Sequence, residues 1–492
     1  MTVQVPLQAG LDAAAAEYPR IQLFIDGEWT DGTSGVSEDI YNPATGDVLG
    51  TVPHASSDDL DRALEAAGRG FRVWSAKTTD ERGMILHRAA ALIRERAEHI
   101  ARTMTLEQGK PFAMARGELM GSSKLLDIYA EEAKRSYGRI IPFDHDTELT
   151  VIHQPVGPVC AFVPWNFPAG SPMRKISASL AAGCSIVIKP SEETPGTITE
   201  IVKCYAEAGV PAGVLNLVFG VPAQISEQLI TSPITRLVAF TGSIAVGKHL
   251  AELAARQMKP AMMELGGHAP VIVCEDADPS VAAARTAVAK FANAGQVCTS
   301  PSRMIVHESV YDAYVDALAD QASKVKVGNG LEDGVQMGPL ANPRRLQASI
   351  DLVQDARQQG ATVAYGGSPI EGPGWFFEPT VLTDVPLGAR VMHDEPFCPI
   401  APVVSFSDLD QALELANSLP YGLAAYGFTS SSATANRLKY GLEAGILSIN
   451  HCGGSVPEAP SGGVKQSGYG KEGGAEGLHD YMITKRVNHK LA

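Results

Sequence analysis

Clusters of basic residues are missing from this chain, and so is any apolar run of about 18 residues. The first absence, with a formal charge of −15, argues against nucleic acid or an anionic membrane as partner, because both reward grouped Lys and Arg. Solubility is the plain reading of the acidity. The second absence predicts no transmembrane helix. C-x-x-C is also missing. The seven cysteines, at 160, 184, 204, 274, 298, 398 and 452, are odd in number and scattered. That pattern suits a reducing cytoplasm better than a disulfide framework or a zinc site. The opening MTVQVPLQAGLDAAAAEYPR has neither a basic n-region nor a long apolar h-region, so no cleaved leader is expected. G-x-S-x-G, H-E-x-x-H and an EF-hand loop are absent as well.

With 492 residues, the chain is too long for one core and predicts two or three domains. IQLFIDGEW (Ile21–Trp29) reads as a hairpin with an Asp-Gly turn. Residues 57 to 110 carry helical periodicity, and ELTVIHQPV (Glu148–Val156) alternates like a strand. Apolar runs then recur at 159–164, 185–190, 215–220, 236–240 and 270–274, with helical stretches such as Pro172–Ala182, Gly196–Ala208 and Ile244–Arg256 between them. Buried strands alternating with helices mean βαβ units and a parallel sheet. A second rhythm at 303–308, 401–406, 424–429 and 445–450 predicts another α/β domain, and Gly- and Pro-rich 326–400 predicts long loops. DYMITKRVNH (480–489) reads as a strand pairing outside the main sheets.

FTGSIAVGKHL (Phe240–Leu250) nearly matches the phosphate loop G-x-x-x-x-G-K-[ST], but His249 stands where the magnesium-binding hydroxyl belongs. A strand, a turn and a helix are the right context for phosphate at a helix N-terminus without magnesium. A purely structural turn remains an alternative. Gly468-Tyr469-Gly470-Lys471-Glu472-Gly473 matches G-x-G-x-x-G, yet only 19 residues follow it. That leaves no room for a βαβ unit, so it reads as a flexible loop.

Three segments carry residues that could do chemistry. FANAGQVCTS holds Cys298, although a lone Cys is as readily a small buried apolar residue. MELGGHAP sets Glu264 at the end of an apolar run, where a carboxylate costs free energy unless it is paired or used. PWNFPAG offers the amide of Asn166 just after a strand.

Together, PWNFP, IKPSEETP, FTGS, MELGG, GQVC, DEPF and SGGVKQSGYGKEGG stand in the order and spacing of the aldehyde dehydrogenase superfamily, and the resemblance runs from about residue 20 to 490. It implies that Cys298 is the nucleophile, passing through a thiohemiacetal and a thioester. It implies that the Asn166 amide and the Cys298 backbone N–H bind the oxyanion, and that Glu264 is the base for thioester hydrolysis. Branches that pass the acyl group to coenzyme A typically lack that base. For the cofactor, the resemblance implicates Pro164 and Trp165 after the first strand, and Lys189, Ser191 and Glu192 around the adenosine ribose. Gly242, Ser243 and Gly247 would form the pyrophosphate turn, and Glu395 and Phe397 the nicotinamide contacts. The carboxylate of Glu192 favours NAD over NADP, while Lys189 and Ser191 leave NADP possible. Cys398 stands where the family usually has Gly.

The resemblance implies an α/β aldehyde dehydrogenase fold. A Rossmann-like cofactor domain would span 1–133 and 153–264, an α/β catalytic domain 265–465, and a small β oligomerisation flap 134–152 with 466–492. A cytoplasmic homodimer or homotetramer acting on a small aldehyde, with no metal, nucleic acid or membrane, is expected. PWNFPAGSPMRKIS resembles the succinate-semialdehyde dehydrogenases, where an Arg at the position of Arg174 grips the substrate carboxylate; a structural Arg is the alternative. Ala292 and Ser300 depart from the second Arg and second Cys often seen there, and Arg303 is not a replacement. NAGQVCTSPSR and HCGGSVPEAPSGG are nearer to succinate- or 2-oxoglutarate-semialdehyde dehydrogenases. Ser461 replaces the usual Phe at the substrate mouth, which would admit a longer aldehyde. Broad aliphatic or aromatic aldehyde oxidation is the alternative. A crystallin-like binding protein, or a reductase making acyl-CoA or acyl phosphate, is disfavoured by Cys298, Glu264 and Asn166.

Overall fold

The computed structural model describes residues 18–453 and 456–491. The segment read for a leader falls mostly within residues 1–17, and Gly454 and Ser455 of HCGGSVPEAPSGG are the other pair outside the described residues. Among the described residues, no helix is long and apolar enough to cross a membrane.

The hairpin forms as expected: Leu23–Ile25 pairs antiparallel with Glu28–Thr30. Asp26 and Gly27 take φ of 54° and 85°, as a tight hairpin turn requires. Its strands join a sheet that runs, among the described residues, Gly468–Tyr469, Ala261–Leu265, Leu237–Gly242, Val159–Phe162, Ile186–Lys189, Leu215–Leu217, Leu23–Ile25, Glu28–Thr30. The five strands from Ala261–Leu265 to Leu215–Leu217 are mutually parallel. They are nearly all buried, which explains their apolar runs without alternation. Strand order moves one way from Val159–Phe162 through Ile186–Lys189, and the other way through Leu237–Gly242. The reversal opens a crevice beyond the carboxyl ends of these two neighbours, the usual ligand position in such sheets.

A second sheet runs Thr362–Tyr365, Thr380–Thr383, Ile400–Phe406, Pro301–His307, Ala269–Val273, Ala424–Phe428, Ile446–Ile449. Each sheet has its own apolar core. Residues 326–400 hold more order than their Gly and Pro content suggested: the helix Pro343–Gln358, with Pro in its first turn, and the strands Thr362–Tyr365 and Thr380–Thr383. The third sheet pairs Thr147–Pro155 with both Arg139–Asp144 and Met482–Lys490. Its outer strands are largely exposed; Arg139–Asp144 is joined to Thr147–Pro155 by a short turn, whereas Met482–Lys490 comes from the far end of the chain.

The Gly-rich segment before that last strand is not a flexible loop. Gly468–Tyr469 pairs antiparallel with Met263 and Glu264. The φ of Gly468 is 122°, and a side chain there would collide with the Met263 carbonyl, so glycine is needed for the close approach.

Candidate active site

A cleft of about 1370 Å³ opens at the crevice. Pro164 and Trp165 line it, as do Lys189, Ser191, Glu192, Gly242 and Ser243. Ser243 caps the helix Ile244–Arg256, its Oγ accepting from the Val246 N–H at 3.4 Å. The free N–H groups and dipole of that helix end favour an anion. Gly242 leaves room for the Phe240 ring, and Gly247 leaves room for Leu265, so the helix packs close to the strand. Lys248 donates to Gln466 Oε1 at 3.0 Å. With Lys248 engaged there, what the turn offers an anion is backbone and dipole, not a Walker lysine. At the far end of this wall, Lys189 Nζ donates to Glu192 Oε2 at 2.5 Å, and Glu192 Oε1 accepts from the Gly220 N–H at 3.0 Å. Room, anion-favouring helix end and carboxylate together fit a dinucleotide.

Gly247, Glu395, Phe397, Asn166, Glu264, Cys298, Arg174 and Ser461 are not on the cleft wall. Contacts tie most of them to it. The Trp165 ring meets Phe397 edge-on, with centroids 5.6 Å apart. Phe397 has φ 47°, and Arg345 donates to the carbonyls of Pro396 and Phe397. Glu395 Oε1 accepts from the Gly267 N–H at 3.1 Å. A Cβ on Gly267 would lie 3.0 Å from the Cys298 carbonyl oxygen. Thr241, on the wall, is in register with Glu264 on the next strand. Cys398 faces the second core, fully buried, with its carbonyl against Gly295. Its side chain therefore does not alter the cleft.

The loop before Cys298 is strained. Asn293, Ala294 and Gly295 take φ of 49°, 53° and 72° in succession. Left-handed backbone costs non-glycine residues of order 1 kcal/mol each and persists only where the surroundings enforce it. Here Asn293 Nδ2 donates to the Asn166 carbonyl at 3.0 Å, and Asn166 Nδ2 donates to the Gln296 carbonyl at 3.0 Å. The amide of Asn166 is thereby held against the loop that carries Cys298. A buried ion pair fixes it from behind: Lys110 Nζ donates to Glu118 Oε2 at 2.5 Å and to the Asn166 carbonyl at 2.9 Å. Glu118 Oε1 in turn accepts from the N–H groups of Ala169 and Gly170.

Burial pushes the Glu264 carboxyl up to about 8, helped by the Glu472 carboxylate and opposed by Lys175, Arg174 and Lys471. Its Oε1 is buried without a hydrogen-bond partner among the described residues. Such an atom costs free energy unless a ligand or water meets it. Burial also pushes the Cys298 thiol up to about 12, with the carboxylates of Glu264 and Glu395 adding to the effect and Arg174 opposing it. Glu395 is raised to about 7 by burial. These shifts cluster where titratable groups converge, a mark of functional sites.

Sequence reasoning missed Lys175 and Glu472. Lys175 is fully buried and donates to Thr241 Oγ1 at 2.7 Å and to Glu472. Glu472 also lies 3.8 Å from Arg174 Nε. A signal existed: Lys175 follows Arg174 directly, and Glu472 sits in the Gly-rich motif. Ser461 bridges to Glu472 through both main-chain hydrogen bonds, N–H to O at 2.6 and 2.8 Å. No group of His, Cys, Asp and Glu able to hold a metal occurs among the described residues.

The aldehyde dehydrogenase family model matches residues 29–487. The chain is 47% identical over 470 residues to the 4-(hydroxymethyl)benzenesulfonate dehydrogenase of Comamonas testosteroni, covering 95% of this chain and 98% of that one. It is 41% identical to the NADP-dependent succinate-semialdehyde dehydrogenase of Escherichia coli K12, covering 95% and 97%. The crystal structure of succinate-semialdehyde dehydrogenase from Burkholderia pseudomallei superposes with a TM-score of 0.94 at 40% identity, over 96% and 98% of the two chains. The cleft, the strained cysteine loop and these likenesses agree, and the chain belongs to the aldehyde dehydrogenase family of oxidoreductases.

Proposed function

We propose that the protein oxidises an aldehyde with an anionic group at its far end to the carboxylic acid, a semialdehyde such as succinate semialdehyde being the first candidate. NAD or NADP, held in the cleft, supplies the hydride acceptor. The observation that carries the anionic preference is the position of Arg174, whose charge acts on both Cys298 and Glu264. The two dehydrogenase relatives carry a sulfonate and a carboxylate in the substrates of their names, which supports the same reading. A second reading, oxidation of neutral aliphatic or aromatic aldehydes, draws on the engagement of Arg174 with Glu472.

In this mechanism the Cys298 thiol gives its proton to water and its sulfur attacks the aldehyde carbon. The resulting oxyanion takes hydrogen bonds from the Asn166 side-chain amide and the Cys298 backbone N–H. After oxidation a thioester joins the acyl group to Cys298, and Glu264 removes a proton from the water that hydrolyses it. Lys175 and Glu472, bonded to each other, act on Glu264 by their charges: the Glu472 carboxylate opposes its ionisation and the Lys175 ammonium favours it. Pro164, Trp165, Lys189, Ser191, Glu192, Gly242, Ser243 and Gly247 bind the cofactor, with Glu395 and Phe397 at its nicotinamide end. Residues 1–133 with 153–264 serve the cofactor, 265–465 the chemistry, and 134–152 with 466–492 the assembly of a homodimer or homotetramer. The cytoplasm is the compartment that fits.

The reading is tested by replacing Arg174 with Gln. Catalytic efficiency should fall for carboxylated and sulfonated aldehydes and hold for neutral ones of equal length. An equal loss for both would assign Arg174 to structure.

A further inference from the structure

Two charged pairs line the cleft. Lys189 and Glu192 form a buried pair on one wall, with side chains 6% and 13% exposed. Beside them, Glu193 pairs with Arg344, whose Nη2 lies 2.9 Å from Glu193 Oε1. Arg344 belongs to the first turn of Pro343–Gln358, so the contact joins the turn after Ile186–Lys189 to that helix, and both residues line the cleft. The other Glu193 oxygen accepts from the hydroxyl of Ser191.

The two pairs differ in what it takes to break them. Lys189 and Glu192 are desolvated, and Gly220 holds the second Glu192 oxygen. The Arg344 side chain is 82% exposed. An exposed ion pair is only weakly stabilising, so an incoming anion can displace Glu193 from it. The four groups, Lys189, Glu192, Glu193 and Arg344, sum to zero charge. Without the Glu193 charge, they sum to +1.

We infer that Glu193 sets the choice between the two dinucleotides by occupying Arg344, the cleft-wall guanidinium best able to grip a 2′-phosphate. The inference rests on reading the cleft as the dinucleotide site. A phosphate monoester prefers a guanidinium fork to any other side chain. NADP must displace Glu193 to reach that fork. NAD, with a 2′-hydroxyl, has no need of it. Glu193 and Arg344 therefore act as a pair, and the pair is a selectivity determinant separate from Glu192.

The test is equilibrium titration of the full-length protein with NAD and with NADP, followed by tryptophan fluorescence, with KM values as a second readout. Glu193→Gln should raise the ratio Kd(NAD)/Kd(NADP) by about tenfold, the scale of one additional charge-assisted hydrogen bond. Arg344→Gln should lower the ratio. The double variant should match Arg344→Gln alone, because Glu193 acts through Arg344. The rise in Glu193→Gln should shrink as salt increases. An unchanged ratio in Glu193→Gln would overturn the inference. So would a double variant that keeps the full rise, since Glu193 would then act by direct repulsion. If the unmodified protein binds neither dinucleotide, the cofactor reading itself fails, and the inference fails with it.

Discussion

Glu264 must lose its proton before it can serve as a base, and its surroundings oppose that. Burial, then the Glu472 carboxylate, raise it to about 8. At pH 7 roughly one site in eleven is then ionised, and at pH 9 roughly ten in eleven. If thioester hydrolysis limits turnover, the steady-state rate should climb about tenfold across that interval. Stopped-flow absorbance of the reduced nicotinamide separates the steps: the burst reports attack and oxidation, and the later linear phase reports hydrolysis. Glu264→Gln should cut the linear phase by about 10²–10⁴-fold and leave a burst. The same group makes a stability prediction. Its folded pKa lies above the unfolded value of 4.5, so its contribution is fully present below 4.5 and is lost as pH rises through about 8. Glu264→Gln, neutral throughout, should melt higher than the unaltered protein at pH 9 and not at pH 5. A linear phase that stays flat from pH 6 to 9, or full turnover in Glu264→Gln, would refute the assignment.

Other outcomes follow from the same geometry. Cys298→Ala should abolish production of reduced nicotinamide while dinucleotide titration still shows binding. Lys110→Met leaves the Glu118 carboxylate buried beside Asn166 without its cation. It should lower stability by about 3–5 kcal/mol in denaturant unfolding. Lys110→Arg, which keeps the charge, should recover part of that loss. Ser461→Phe should reduce kcat/KM selectively for long aldehydes, and an equal loss for short ones would mean that Ser461 does not bound the substrate mouth.

Much of this architecture is legible in the residues because the parallel strands are buried on both faces. Runs such as Ile186–Lys189 and Ala269–Val273 announce themselves as unbroken apolar stretches. Elements whose order comes from distant partners were harder to read. The helix Pro343–Gln358 hides among glycines and prolines, and only its exposed polar face and Asn342 cap hint at it. Gly468–Tyr469 becomes a strand because Met263 and Glu264 offer an edge, which no local pattern shows. The site divides the same way. Cys298, Glu264 and Asn166 stand in recognisable motifs. Lys110, Lys175, Glu472 and Arg344 matter through contacts that span up to 297 positions of sequence, and spacing alone does not reveal such pairs.

The central claim is oxidation of an aldehyde with an anionic far end. Its most direct test is absorbance at the reduced-nicotinamide band, with NAD and with NADP, across matched aldehydes. Succinate semialdehyde, 2-oxoglutarate semialdehyde and a sulfonated benzaldehyde would be set against neutral aldehydes of equal length. Higher kcat/KM for the charged member of each pair is the result expected. Equal or higher values for the neutral members would contradict the account and leave Arg174 as a structural partner of Glu472.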